Sequence, residues 1–220
     1  METFLRILIR GLPVVLAITL HEAAHGYVAL QHGDDTAKRA GRVSLNPLRH
    51  VDLVGTILLP GILLLLNAPV LFGYAKPVPV NFSRLNNPRK DSIFVAAAGP
   101  AMNIVLAFIS AVLFHFLIFL PPDVATIGQQ MLSISVLINV TLAVFNMLPL
   151  PPLDGGRVAV GLLPNCLAYP LARLEPYGMV IIFGLLLIPS FFGINLIGAL
   201  ILEPIKGIVE AISFLAGLNG

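Results

Sequence analysis

Apolar runs long enough to cross the ~30 Å hydrocarbon core of a bilayer as helices recur along this chain. They fall at about Phe4–Leu30, Ile93–Leu120 and Gly128–Leu148, with two further candidates at about Tyr177–Ile188 and Phe191–Ile212. Of 220 residues, 57% are hydrophobic and only 11% are charged, against roughly 25% charged in a soluble domain. A chain so apolar cannot hide its surface in one water-soluble core of this size. Disorder is excluded too, since disordered segments are polar or highly charged. Cys166 is the single cysteine, so no disulfide forms within the chain. A net charge of +2, with no basic stripe interleaved with aromatics, argues against a nucleic-acid partner. The expectation is an all-α polytopic membrane protein of five to six transmembrane helices. It would form one domain over residues 1–220, with a core at about 4–160 and C-terminal helices at about 170–215.

Leu53–Phe72 is also apolar, but Pro60, Gly61, Asn67 and Pro69 interrupt it. Lys38, Arg39, Arg42 and Arg49 precede it, and Lys76, Arg84, Arg89 and Lys90 follow. Basic loops prefer the cytoplasmic side. With both flanks cytoplasmic, the segment enters and returns as a re-entrant hairpin, which requires packing against protein. A sixth, kinked span is the alternative. The segments 121–126 and 189–193 carry no Lys or Arg, whereas Pro149–Arg173 carries Arg157 and Arg173. Alternation from a cytoplasmic 81–90 therefore puts the N-terminus outside, where Arg6 and Arg10 dissent. No small-residue cleavage site follows the first apolar run, so no signal peptide is expected.

His21-Glu22-Ala23-Ala24-His25 lies inside that first run. On a helix, His21 and His25 stand about 40° apart and one turn along, so both imidazoles reach one zinc ion. Glu22 is offset from both, close to the metal without being forced to ligate it, which suits a general base. The bland reading is a polar helix interface. Three ionisable groups within one apolar span are costly, and such groups are usually functional.

A catalytic zinc takes three protein ligands and an open position. Asp154 is the best third candidate. Pro149, Pro151 and Pro152 break the span before it, and Gly155 and Gly156 let the backbone turn sharply. By residue type alone, a helix N-cap is an equal reading of Asp154. His50 and Asp52 stand next in line as ligands.

These residues resemble the site-2 protease family of intramembrane zinc metalloproteases, in its small prokaryotic branch. His21–His25 and Leu153-Asp154-Gly155 carry the resemblance. Gly26–Ala29, Gly33–Ala37, Leu45-Asn46-Pro47, Gly73–Val80, Pro88-Arg89 and Ala98–Asn103 extend it over about residues 15–160. The resemblance implies a three-helix catalytic core with His21, His25 and Asp154 on Zn2+ and Glu22 as base. It also implies an integral protein of the prokaryotic cell membrane, with the site toward the cytoplasm and membrane-protein or single-span peptide substrates in the lipid bilayer. No PDZ or CBS module is present to recruit substrate, so recognition would rest on the core or on a partner.

Asn103, Asn139 and Asn146 lie in apolar spans. Asn139 reads as interhelical hydrogen-bonded glue. Asn103 and Asn146 read, by resemblance, as substrate-binding groups or supports for a ligand. Pro100 reads as a helix start, His115 as structural, and His32 and His50 as interfacial. Tyr74–Val80, with alternating prolines, reads as extended chain that could pair with an unwound substrate, or as a plain loop. The main functional expectation is a zinc-dependent intramembrane endopeptidase. The competing one is a transporter or metal-permeation protein with an intramembrane His/Asp site. A non-catalytic scaffold is a third, and an intact Glu22 argues against it.

Overall fold

In the computed structural model, residues 2–44, 76–178, 180–182, 184, 185 and 198–218 are described, with isolated positions between 46 and 62. Among these residues every regular element is helical. Three helices are long and apolar enough to cross a membrane, over Leu5–Gln31, Pro88–Phe119 and Pro122–Asn146. They belong to α1 (Glu2–Gln31), α3 (Pro88–Leu113, extended by a 3-10 turn to Phe119) and α4 (Pro122–Asn146). Shorter helices are α2 (Thr36–Arg39), α5 (Asp154–Leu162), α6 (Asn165–Ala172) and α7 (Glu203–Leu215).

The ends of the long helices follow from local chemistry. Gly33, at φ +102°, closes α1, with the Asp34 amide reaching Ala29 O at 2.9 Å and the Gly33 amide reaching Leu30 O at 3.3 Å. This is the left-handed glycine stop that satisfies the last carbonyls of a helix. Asn87 caps α3 through its side chain, and Pro88 fills the first position. Pro122 and Asp123 open α4 in the same spirit.

Small residues let the spans approach. Ala17, Ala23, Ala24 and Ala29 of α1 and Ala96, Ala107 and Ala111 of α3 are all buried, the usual solution where lipid removes the hydrophobic drive between helices. α7 completes the bundle. Its Ile205 and Ile212 join Ala107, Ala111, Val136, Val140 and Val144 in one buried cluster. His115 Nε2 bonds Ala216 O at 2.6 Å, in keeping with a structural role.

Several expectations change. Residues 121–126, read as a loop, contain the start of α4, because Pro122 at the first helical position nucleates a turn that hydropathy alone does not mark. Pro100 lies inside α3, and the helix-start proline is Pro88. The expected connection 149–173 holds α5 and α6. Leu53–Phe72 is known only at isolated positions, and residues 186–197 and His50 lie outside the described residues. The described residues carry three candidate spans, and the other candidate runs lie wholly or partly outside them.

Candidate active site

α1 carries His21 and His25 on one face, and α3 packs its bare backbone against them. A Cβ added at Gly99 would stand 2.5 Å from His21 Nε2. α4 ends at Asn146, and the chain then folds back through a cis Pro151–Pro152 bond into α5. That return is possible only with glycine at two places. A Cβ at Gly155 would meet Leu148 O at 2.5 Å, and one at Gly156 would meet the Leu150 carbonyl carbon at 2.5 Å. Arg89, near the start of α3, pins the far end of α5. It donates to Gly161 O at 3.2 Å, to Asn165 Oδ1 at 2.7 Å and to Leu163 O. Asp154, the first residue of α5, is thereby aimed at the histidines.

Asp154 Oδ2 lies 3.2 Å from His21 Nε2 and 3.5 Å from His25 Nε2. The two Nε2 atoms are 3.1 Å apart. One ligand atom from each of His21, His25 and Asp154 falls within 4.8 Å of the others, a spacing that could hold a metal ion. The helix-cap alternative for Asp154 is not adopted: the N-cap position of α5 is Leu153, with no side-chain cap bond.

The tautomers can be read from the outer ring nitrogens. Asn103 Nδ2 donates to Ala17 O at 3.2 Å and to Asn139 Oδ1 at 2.8 Å. Since an amide nitrogen only donates, Asn103 Oδ1 must face His21 Nδ1, 2.5 Å away, and accept its proton. His25 Nδ1 donates to Val95 O at 2.7 Å. Both Nε2 atoms of the neutral rings then present lone pairs to one another and to Asp154 Oδ2, a buried atom on which no donor is aligned. Three electron-rich atoms gathered this tightly repel unless a cation lies among them, and the nitrogen–nitrogen–oxygen set is a common one for zinc. The residues fit the ion.

Glu22 points to the side of this cluster. Its Oε2 accepts from the Val78 amide at 2.8 Å, while Val78 packs its side chain against Gly26, where a Cβ would be 2.9 Å away. Lys76–Asn81 has no helical structure and is anchored at both ends. Arg42 Nη2 donates to Lys76 O at 2.5 Å, and the Asn81 amide donates to Asp34 Oδ2 at 2.6 Å.

Of the sequence-predicted residues, His21, Glu22, His25, Asp154 and Asn103 come together. Asn146 Nδ2 bonds Leu142 O of its own helix at 3.0 Å. Asn139 makes the interhelical hydrogen bond expected of it, accepting from Asn103 Nδ2 at 2.8 Å, while its own Nδ2 donates to Ser135 O at 2.9 Å. His32 pairs with Asp91 at 3.1 Å and stacks on Phe94, away from the cluster. Sequence reasoning missed the role of Val78. The Pro-Val-Pro-Val run was the available signal for Val78, because it isolates a single amide.

Comparison with known proteins agrees with this geometry. Residues 118–189, which include Asp154, match the family described as Peptidase family M50. YwhC of Bacillus subtilis (strain 168), whose name provisionally marks it a zinc metalloprotease, is 39% identical over 180 residues, 80% of this chain and 78% of its own length. Rip2 of Mycolicibacterium smegmatis, named in the same provisional way, is 30% identical over 177 residues, 80% of this chain and 65% of its own. Rip2 of Mycobacterium tuberculosis (strain ATCC 25618 / H37Rv) is 27% identical over 184 residues, 82% of this chain and 68% of its own. No solved structure matches significantly. With this similarity over four fifths of its length, the chain belongs to peptidase family M50, the site-2 protease family.

Proposed function

We propose that this chain is a zinc-dependent intramembrane endopeptidase in which His21, His25 and Asp154 hold the metal and Glu22 is the general base. The observation that carries this reading is the convergence of Asp154 Oδ2 on two Nε2 lone pairs, with the Glu22 carboxylate beside them. A bound zinc supplies Lewis acidity, polarising a scissile carbonyl and acidifying a water. Glu22, its Oε2 held by Val78, takes the water's proton at Oε1 and returns it to the leaving amine. Asn103 and Val95 O hold the imidazoles in the orientation that keeps both Nε2 atoms inward. Asn146, whose Nδ2 is engaged by Leu142, has its Oδ1 left to accept from a substrate amide.

The site lies in the half of α1 that leads into Lys38, Arg39 and Arg42, near the basic start of α3. Those charges favour the cytoplasmic face, and the bacterial relatives favour a prokaryotic cell membrane. A substrate helix must unwind locally to offer its peptide bond, so helix-breaking residues near the cut promote cleavage. The metal-permeation alternative has no support from the relatives' names.

The test is cleavage of an apolar single-span peptide by purified protein in detergent. Activity that is lost in excess chelator, restored by zinc and absent in Glu22→Gln is the expected result. Glu22→Gln should still carry zinc. Cleavage that survives Glu22→Gln would overturn the assignment of the base.

A further inference from the structure

The proposed chemistry makes no use of Arg157, although it stands on α5 about one turn beyond Asp154. Its guanidinium joins two segments. Arg157 Nη2 donates to Glu175 Oε1 at 3.1 Å, in the 3-10 turn Glu175–Tyr177 that follows α6. Arg157 Cζ lies 4.8 Å from the centroid of the Phe82 ring. A guanidinium over an aromatic face is attracted by the ring's quadrupole, and its plane can stack there as a lysine ammonium cannot. The Glu175 carboxylate holds one edge of the guanidinium and so limits where its face can lie.

Phe82 matters because of what precedes it. It follows Asn81 directly, at the end of the stretch 76–81 whose Val78 amide is donated to Glu22. The ring packs against the buried cluster of Ala29 from α1, Leu85, and Val95 from α3. Val95 also supplies the carbonyl that accepts from His25 Nδ1. The other anchors of the stretch, Arg42 on Lys76 O and Asp34 on the Asn81 amide, come from the chain that follows α1. Arg157 adds an anchor from α5, the helix that begins with Asp154. One side chain therefore ties the segment that holds the base to the segment that brings the third donor.

Building on the peptidase reading above, we propose that Arg157 is a positioning residue for peptide hydrolysis: through the Phe82 ring it fixes the stretch 76–81, and with it Glu22, relative to α5 and Asp154. It acts through Phe82 and not on the reacting atoms. With the contact open, the Val78 amide and the Glu22 carboxylate it holds can shift against the three donor atoms. Asp154 stays aimed, because the return over Gly155 and Gly156 and the Arg89 bonds to the far end of α5 do not involve Arg157. The loss therefore falls on turnover and leaves the metal in place.

The test has two arms on the full chain in detergent. Hydrogen exchange read by mass spectrometry needs no activity. In a peptide covering 76–82, Pro77 and Pro79 have no amide, so few sites report and Val78 is one of them. Arg157→Gln should speed exchange there about 3- to 10-fold, the scale of a partly exposed cation–π contact, with 154–162 unchanged. Arg173→Gln, which removes an exposed cation elsewhere, should match wild type. Unchanged exchange at 76–82 in Arg157→Gln, or an equal rise in Arg173→Gln, overturns the proposal. The second arm is steady-state cleavage of a single-span peptide. Arg157→Gln should lower kcat by about the same 3- to 10-fold, with KM and zinc content as in wild type. Phe82→Leu keeps an apolar anchor, removes the ring face and should cost as much. The double variant Arg157→Gln/Phe82→Leu should be no worse than the worse single one. Losses that multiply, or zinc missing from Arg157→Gln, overturn the proposal. A wild type with no chelator-sensitive cleavage overturns the peptidase reading instead, and the exchange arm then still decides whether Arg157 holds the stretch. If Arg157→Gln does not fold, Phe82→Leu carries the exchange arm, with the same rise expected and unchanged exchange overturning the proposal.

Discussion

The backbone amide of Val78 donates to Oε2 of Glu22 across 2.8 Å, although 56 residues separate them in sequence. Pro77 and Pro79 have no amide hydrogen, so Val78 supplies the one donor in this three-residue stretch. Val78→Pro removes it. A hydrogen bond to a charged group contributes about 1.5–3 kcal/mol, so kcat should fall roughly 10- to 100-fold with KM and zinc content little changed. Val78→Ala keeps the amide and should stay within a few-fold of wild type. Steady-state kinetics on a single-span peptide, with metal analysis, separates the two. Equal losses would assign the effect to packing.

Asp154→Asn keeps the shape of the side chain and removes its charge. Since the side chain caps no helix, the fold should persist, with unchanged circular dichroism. The zinc content should collapse together with activity, because the third donor loses the charge that offsets the metal's. Full activity would send the search to another ligand.

Gly99→Ala tests whether the space at the imidazoles is needed. A Cβ there would crowd both Nε2 atoms, 2.5 Å from that of His21. Zinc should be absent from the purified variant. Gly207→Ala is the control, because a Cβ at Gly207 meets nothing within 4 Å. In a helix that change is neutral or stabilising by about 0.5–1 kcal/mol, read as a small rise in Tm.

Asn139→Leu removes a residue that touches neither imidazole. It takes away one of the two acceptors that orient the Asn103 amide. Loss of such outer support costs about 10- to 100-fold in metal affinity. Competition against a graded series of chelators should place Asn139→Leu near the lower figure and Asn103→Ala near the upper.

Asp34 is fully buried, and it ties the end of α1 to residue 81. Burial pushes its carboxyl up, but the hydrogen bonds from Thr36 and Asn81, with the charge of Arg84, hold it below the usual carboxylate range. The unfolded chain therefore binds this proton first as pH falls. The stabilisation is present above about pH 4 and is lost as pH drops through the lower folded value. Thermal unfolding in detergent should show Asp34→Asn less stable than wild type at pH 7. The gap should narrow below pH ~4. A gap independent of pH would remove the charge from the explanation.

Much of this protein is written in its local sequence. The bilayer forbids unpaired backbone groups, so the apolar runs had to become helices, and three of them did. The 3.6-residue period put His21 and His25 on one face before any tertiary contact formed. Helix starts were less legible, because Pro88 and Pro122 nucleate turns that hydropathy does not register. What lay beyond the sequence were relations between segments far apart. Asp154 could as well have been a cap, and only the return of the chain over Gly155 and Gly156, pinned by Arg89, turned it toward the histidines. Asn139 read as glue, and only packing decided that its partner is Asn103, which holds His21. Val78 carried no chemistry of its own until its amide met Glu22. Periodicity places a residue on a face of its own helix, but which group faces it there is decided when helices pack, since buried donors and acceptors must find partners among whatever that packing brings near.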